Sequence, residues 1–248
     1  MKIIVPLNQV PDLVEELEID DSGASLDFEA LKMKMNEFDD NALEEALQIK
    51  ETGGAEVIAL AIDGEDVDKI LFTALAKGAD KAVKITGANP HADNHTLAKV
   101  FAGAVKGLGA DLIFVGVQSP GDADGQLGPL MAAYLGMPSV SVVSGIKPDG
   151  GKATLNKEYS GGMMAEFEVD LPAVLGVQAA RATPRYAPVS KVRQIQQTAT
   201  IESVAAGDSS GVPTGKITKM EPPAKGGGAK MLKSAADILA VLKEKGVA

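Results

Sequence analysis

The chain has 248 residues, 45% of them hydrophobic, which is enough to bury one sizeable α/β core. Its 34 acidic and 24 basic residues give a net charge of −10, which disfavours binding along a nucleic-acid backbone. With no cysteine and only two histidines, disulfides and thiolate metal sites are excluded, and we predict no metal site. Any redox chemistry therefore needs a bound cofactor.

The first residues lead directly into the apolar stretch Ile3-Ile4-Val5, without the long apolar core or cleavage site of a signal peptide. Nowhere do about 18 apolar residues run together, as a membrane-spanning helix requires. We therefore expect a cytoplasmic protein that does not insert into a membrane.

Short apolar runs rich in branched side chains recur along the chain, each bounded by glycine, proline or polar residues. They predict strands at residues 2–7, 56–62, 82–85, 111–117, 139–143 and 173–177. Between them, apolar residues at helical spacing predict helices at residues 41–51, 65–77, 94–106 and 130–135. This alternation predicts a doubly wound α/β fold with a mainly parallel sheet, of the Rossmann-like type that binds adenine nucleotides at the carboxyl ends of strands.

Two later segments depart from this alternation. Residues 145–170 alternate apolar and polar side chains around a turn at residues 148–151, which predicts a hairpin at the sheet's edge. Beyond residue 201, glycine and proline punctuate a polar stretch that closes with an apolar helical face. We therefore predict a nucleotide-binding domain at residues 1–200 and an extended arm with a final helix at residues 201–248.

Two motifs are candidates for ligand binding. A glycine-rich turn with Gly121, Gly125 and Gly128 lies between a predicted strand and helix, where backbone N–H groups either bind phosphate or only permit a tight turn. Asn36 and Asp39 precede the first helix, where both are candidates to cap its first turn. A capped amphipathic helix without a ligand explains the second motif equally well.

The ordered motifs of the chain resemble the β subunit of electron transfer flavoproteins. The resemblance covers about residues 2 to 200. It rests on the segments at residues 36–47, 73–80 and 116–129, followed by Leu171-Pro172-Ala173-Val174 and Pro184-Arg185-Tyr186-Ala187. The pair Pro222-Pro223 and the final helix are also similar.

This resemblance implies an electron carrier rather than an enzyme with catalytic residues of its own. The family forms heterodimers in which the α subunit holds most of a FAD and the β subunit holds a structural AMP. It implies that the C-terminal arm docks on the α subunit. It also implies flavin-containing dehydrogenases as partners, with a quinone oxidoreductase as a further candidate.

Carried over by position, the resemblance implies a nucleotide site at the ends of strands and the starts of two helices, with Phe38 either facing the flavin or packed in the core. The residues are Pro6, Asn36, Glu37, Phe38, Asp39, Ile62, Gly116, Val117, Gln118, Ser119, Pro120, Gly121, Asp122, Ala123, Asp124, Gly125, Gln126 and Leu127.

Residues 177–199 resemble the family's recognition loop, on which partner dehydrogenases dock. Val189 falls where related proteins have an exposed leucine, and Arg185 and Tyr186 precede it. An apolar tip on a polar loop is a suitable small hot spot. Relatives often follow this loop with several lysines, which this chain lacks.

Three alternatives remain open. An electron-bifurcating form would hold a second FAD in place of AMP and take electrons from NADH. Gln9-Val10-Pro11-Asp12 and Gln126-Leu127-Gly128-Pro129 favour it, whereas Asn8 and residues 121–124 depart from its pattern. A stand-alone ATP-binding stress-type module would need no partner subunit, and the arm argues against it. An enzyme acting alone would need a nucleophile or an acid–base pair, and the sequence offers no such constellation.

Overall fold

The computed structural model describes residues 1–122, 124–210, 215, 217–224, 226–229 and 231–247. The chain forms two compact units. The first comprises residues 1–18 and 26–216, and the second comprises residues 19–25 and 217–248.

A nine-stranded sheet forms the centre of the first unit, with the strand order β11-β5-β4-β1-β6-β10-β7-β8-β9. Neighbouring strands from β11 to β7 are parallel, and the pairs β7–β8 and β8–β9 are antiparallel. The strands are β1 (Lys2–Pro6), β4 (Glu56–Ile62), β5 (Lys81–Thr86), β6 (Leu112–Gly116), β7 (Ser139–Asp149), β8 (Lys152–Tyr159), β9 (Met163–Asp170), β10 (Ala173–Ala179) and β11 (Glu202–Ala205). A separate two-stranded ribbon pairs β2 (Gln9–Pro11) with β3 (Met33–Met35).

Helices cover both faces of the sheet. They are α1 (Glu37–Gly53), α2 (Val67–Lys77), α3 (Asn94–Leu108), α4 (Leu127–Leu135) and α5 (Val189–Thr198), with α6 (Ala235–Glu244) in the second unit. Because side chains alternate along a strand, Ile3 packs in the core on one face with Leu43 of α1, whereas Ile4 packs on the other face with Phe101 of α3. The predicted doubly wound α/β fold is confirmed.

The order of the strands reverses at β1. From β1 the chain passes through α1 to β4 on one side, and later returns through α3 to β6 on the other side. A crevice opens at such a switch point because the two neighbouring connections leave to opposite faces of the sheet. The carboxyl ends of β1, β4 and β6 are therefore where a ligand is expected.

The predicted hairpin at the sheet's edge is confirmed, although β7 extends further than expected and joins β8 and β9 in an antiparallel meander. A helix and a strand, α5 and β11, lie in segments that the sequence predicts to be a loop and an arm. The recognition-loop segment contains α5, and β11 pairs with β5 in the main sheet although the arm was predicted to begin at residue 201.

In the second unit, residues 19–25 form a tight turn, and the amide of Met220 donates to the carbonyl of Gly23. Ser234 caps α6 by accepting a hydrogen bond from the amide of Asp237. The apolar side chains Ile238, Leu239 and Leu242 of α6 are exposed.

Candidate functional site

Three strand ends and one helix start meet at the switch point. Pro6 ends β1, Ile62 ends β4 and Gly116 ends β6, while α1 begins at Glu37. The amide of Leu7 donates to the carbonyl of Leu60 at 2.8 Å and extends the pairing of β1 with β4 beyond Pro6. The structure therefore brings the predicted residues of β1, β4, β6 and α1 to one edge of the sheet.

Asp39 joins these elements at their centre. Its fully buried carboxylate accepts hydrogen bonds from the backbone and side-chain nitrogens of Asn8, at 2.7 and 2.9 Å, and from the amide of Gly116 at 3.0 Å. Burial raises the pKa of Asp39 to about 6, because desolvation of the charged form outweighs these hydrogen bonds. Asp39 is thus a structural acceptor that holds β1, β6 and α1 together.

Asn36 occupies the N-cap position of α1, but its side chain makes no capping hydrogen bond. Instead its Nδ2 donates to the carbonyl of Gln118 at 2.9 Å, and its backbone N–H donates to the carbonyl of Asn8 at 3.1 Å. The expectation that Asn36 and Asp39 cap α1 is therefore wrong for their side chains, which bind neighbouring loops.

The glycine-rich turn after β6 is closed by its own backbone. Ser119 and Asp122 exchange hydrogen bonds between their backbone N–H and C=O groups, at 3.0 and 3.3 Å. Gly125 has a φ of 66°, and a Cβ there would lie 2.6 Å from the carbonyl oxygen of Val117, so only glycine fits. Ala123, predicted to bind the nucleotide, lies outside the described residues.

The backbone amides at the start of α4 already have a hydrogen-bond acceptor within the chain. Asp122 is almost buried, and its carboxylate accepts hydrogen bonds from the amides of Gln126 and Leu127 at 3.1 and 3.2 Å. Asn94, the first residue of α3, donates to the same carboxylate at 2.7 Å. An anion at a helix N-terminus is favourable, and here a side chain of this chain takes that position.

A buried donor near the end of β4 has no partner among the described residues. The Nε2 atom of Gln9 is shielded from solvent, whereas its Oε1 accepts a hydrogen bond from the amide of Asp66 at 3.2 Å. The Nε2 atom lies against Gly64, since a Cβ added to Gly64 would be only 2.6 Å from it. Gly64 is two residues after Ile62, so the donor lies close to the end of β4. An orphaned donor at a switch point fits a ligand with ring or ribose acceptors, as an adenine nucleotide has.

The remaining predicted residues differ in exposure. Phe38 is half-buried, Ile62 is buried, and Glu37 and Asp124 are exposed. Sequence reasoning did not assign Gln9 or Asn94 to the site, and it named Asn8 only as a departure from a motif. Their positions directly after β1 and at the start of α3 are the signals that could have identified them.

The predicted docking residues lie in and before α5. Tyr186 is 79% exposed and Val189, the first residue of α5, is 59% exposed. Arg185 is half-buried, and its guanidinium is bound to Glu44 and Glu51 of α1.

Two clefts lie away from this edge of the sheet. One of about 390 Å³ is lined by Met1, Asp111, residues 148–151, Leu171 and Pro172, and another of about 290 Å³ lies beside it near Ile49 and Arg181. None of the predicted nucleotide-binding residues lines either cleft. The candidate site is thus separate from these two clefts and consists of strand and helix ends.

Comparison with known proteins matches the family model described as "Electron transfer flavoprotein domain" to residues 25–209. The chain belongs to the electron transfer flavoprotein family. Electron transfer flavoprotein subunit beta of Methylophilus methylotrophus is 37% identical over 84% of this chain and 80% of its own length. The subunit beta of Syntrophomonas wolfei is 32% identical over 93% and 90%, and the mitochondrial subunit beta of Arabidopsis thaliana is 32% identical over 99% and 98%.

These matches confirm the resemblance to the β subunits of electron transfer flavoproteins. Within the part of the chain that the structure describes, no helix is long and apolar enough to cross a membrane.

Proposed function

We propose that this chain is the β subunit of a heterodimeric electron transfer flavoprotein. It accepts electrons from flavin-containing dehydrogenases through a FAD held mainly by an α subunit, and it holds a structural AMP of its own. The observation that carries this proposal is the convergence of β1, β4, β6 and α1 at the switch point of a chain that belongs to this family.

The AMP site is proposed at the carboxyl ends of β1 and β4 and along the turn after β6. The unpartnered Nε2 of Gln9 supports this location because it supplies a buried donor beside Ile62. The carboxylate of Asp122 already occupies the first amides of α4. The amides of Val117 and Ser119 also donate within the chain, and Pro120 has no N–H. We therefore assign the phosphate to the remaining donors of the turn, at Gln118 and Gly121.

FAD would supply the redox chemistry, since it accepts and releases electrons whereas the side chains of this chain do not. The contribution of the chain is geometric: the half-buried Phe38 at the start of α1 would face the flavin, and the apolar face of α6 would dock on the α subunit. Exposed Tyr186 and Val189 would contact the dehydrogenase.

A second candidate is the electron-bifurcating form, in which FAD replaces AMP in this chain and NADH is the electron donor. The ending Gln126-Leu127-Gly128-Pro129 of the glycine-rich turn favours it. The two candidates differ in the nucleotide content of the complex.

The subunit assignment is tested by co-expressing this chain with an α subunit of the electron transfer flavoprotein family and purifying through a tag on this chain. We expect a 1:1 complex with the absorbance of bound flavin, and no flavin in this chain purified alone. A chain that stays monomeric in the presence of the α subunit would contradict the proposal.

The docking assignment is tested by Val189→Ala. We expect the KM for a dehydrogenase to rise roughly fivefold, since truncating an exposed apolar anchor removes about 1 kcal/mol of binding free energy. Flavin content stays unchanged. Met163→Ala on β9 truncates an apolar side chain of similar exposure, 67%, and serves as the control. An unchanged KM in Val189→Ala would refute the docking role.

A further inference from the structure

The segment between β10 and α5 runs along α1 and is bound to one face of that helix. Asn41 accepts a hydrogen bond from the amide of Ala180 at 3.2 Å. Glu45, fully buried, accepts from the amide and the Nε of Arg181 at 3.0 and 2.9 Å, and from the amide of Ile146 in β7 at 3.0 Å. Residues 41, 44, 45, 48 and 51 of α1 share this face because they recur at intervals of three and four.

Arg185 makes the strongest of these attachments. Its Nε and Nη2 donate to the two oxygens of Glu44 at 2.8 and 2.9 Å, and its backbone N–H also donates to Glu44 at 3.0 Å. Its Nη1 and Nη2 donate to Glu51 at 2.6 and 3.3 Å. The side chain of Glu44 is 5% exposed, so salt screens this pair little. One guanidinium thus bridges two carboxylates that lie about two turns apart on α1.

These contacts leave Arg185 little capacity to bind a partner. A guanidinium has five N–H donors, and four hydrogen bonds from this group end on Glu44 and Glu51. The pair with Glu44 also restricts the orientation of the Arg185 side chain, since a bidentate guanidinium fits a carboxylate in one plane only. Apolar residues of similar volume commonly stabilise a fold as well as a buried ion pair does, so orientation is what the pair adds here.

The residues after Arg185 lie mostly at the surface. Tyr186 is exposed and Ala187 is buried, whereas Pro188, the N-cap residue of α5, and Val189, its first residue, are both exposed. Tyr186 follows Arg185 directly, and α5 begins only four residues after Arg185, at Val189. The attachment of Arg185 to α1 therefore fixes the backbone from which Tyr186 projects and close to which α5 begins.

We propose that Arg185 and Glu44 are positioning residues that hold Tyr186 and Val189 in the orientation in which a dehydrogenase binds them. This inference rests on the function proposed above. It gives Arg185 an indirect role in docking, through α1, and links the docking segment to the helix that begins at the candidate nucleotide site.

The first test compares variants of the intact heterodimer, with a flavin-containing dehydrogenase and its substrate as electron donor. We expect Arg185→Gln to raise the KM for the dehydrogenase roughly fivefold, as loss of a small hot spot does, with kcat and flavin content unchanged. Arg185→Lys keeps the charge without the bidentate fork and restores part of the affinity. Glu51→Gln removes only the exposed carboxylate, and we expect it to raise KM about twofold. This milder variant tests the positioning role even if Arg185→Gln does not fold.

Lys152→Gln is the matched control, because it removes the same charge together with an exposed ion pair to Glu168 on β9. We expect its KM to equal that of the wild-type protein. A fall in melting temperature with unchanged KM in Arg185→Gln would overturn the positioning role, since it would leave only a structural one.

The second test is a double-mutant cycle with Val189→Ala. If Arg185 acts by placing Val189, Arg185→Gln changes KM less than about twofold once Val189 is truncated, because coupled residues are not additive. Independent effects that multiply would overturn the inference. A wild-type complex that no dehydrogenase reduces would instead overturn the proposed function, and the positioning role with it.

Discussion

Gly116 is the residue where the candidate site tolerates change least. A Cβ there would lie 2.7 Å from the backbone nitrogen of Asp39 and would also meet its carboxylate. We expect Gly116→Ala to lower the free energy of unfolding by about 2 kcal/mol, as overpacking does, and to release the nucleotide. Urea denaturation and nucleotide content measure both effects.

Gly128→Ala is the matched control, because a Cβ there meets only Val115 at 3.8 Å, and residue 128 lies in α4, where alanine is the better helix former. We expect no loss of stability from it. Equal stability of the two variants would contradict the close approach of β6 to Asp39.

The raised pKa of Asp39 predicts a pH dependence of opposite sign to that of an ion-paired carboxylate. Between pH 3.8 and about 6 the folded protein binds a proton at Asp39 that the unfolded chain has lost. The contribution of Asp39 to stability is therefore greatest below pH 3.8 and decreases as pH rises to about 6. The total change is about 3 kcal/mol.

This shift is measured most directly as the titration of the Asp39 carboxyl carbon by NMR, with Asp39→Asn used to assign its signal. We expect a midpoint near pH 6. A midpoint at or below pH 4 would mean that the hydrogen bonds to the carboxylate outweigh its desolvation, and the predicted pH dependence would be contradicted.

Glu44 titrates in the opposite direction. Burial opposes its ionisation, but the hydrogen bonds from Arg185 outweigh burial and hold the pKa of Glu44 below its usual value of 4.5. Its contribution to stability is therefore complete above pH 4.5 and is lost as pH falls through the lower folded-state pKa. We expect Arg185→Gln to remove this acid-dependent loss, as measured by urea denaturation between pH 3 and 6; an unchanged pH profile would contradict the pairing.

For single residues, the sequence predicted that Asn36 and Asp39 lie at the candidate site, but it did not predict their hydrogen-bond partners. Asn36 and Asp39 were identified from their position before a helix, yet their side chains turn away from the helix to Gln118, Asn8 and Gly116. Such contacts join residues 31 to 82 positions apart, and no local pattern contains them. Such contacts can be predicted only once the fold is known.

Among the elements, β7 carries a local strain that can be tested. Ser141 pairs with Gly176 and Val143 with Val177, so Val142 is an extra residue in a bulge, with a φ of 63°. A left-handed conformation costs a branched residue roughly 1–2 kcal/mol. We expect Val142→Gly to raise the free energy of unfolding by about 1 kcal/mol in thermal or urea denaturation.

Val140→Gly provides the comparison, since Val140 is also half-buried in β7 but does not have a positive φ. That change should lower stability, because glycine loses more entropy on folding and leaves a gap. If both variants were destabilised equally, the strain at Val142 would not exist.

The elements that the sequence predicted are those with strong periodicity. Buried runs such as residues 56–62 gave strands, and their bounds match β4 of the structure. By contrast, α5 has no buried residue, and β2 and β3 have three residues each. Short or exposed elements of this kind depend on tertiary contacts, so their local sequence does not distinguish them from loops.

At the scale of the whole molecule, the chain combines a doubly wound sheet with side chains that are free to bind other molecules. The buried Nε2 of Gln9 has no acceptor among the residues that the structure describes, and Val189 and Leu239 are exposed apolar side chains. Gln9 is proposed to bind the nucleotide, Val189 the dehydrogenase, and Leu239 of α6 the α subunit. These features agree with the proposal that the chain functions as a subunit bound to other molecules.

We propose that this subunit holds AMP while the complex carries one FAD. The most direct test is to denature the purified heterodimer and quantify the released nucleotides by chromatography. We expect one FAD and one AMP per heterodimer. Two FAD and no AMP would contradict the simple carrier and support the bifurcating form with NADH as donor.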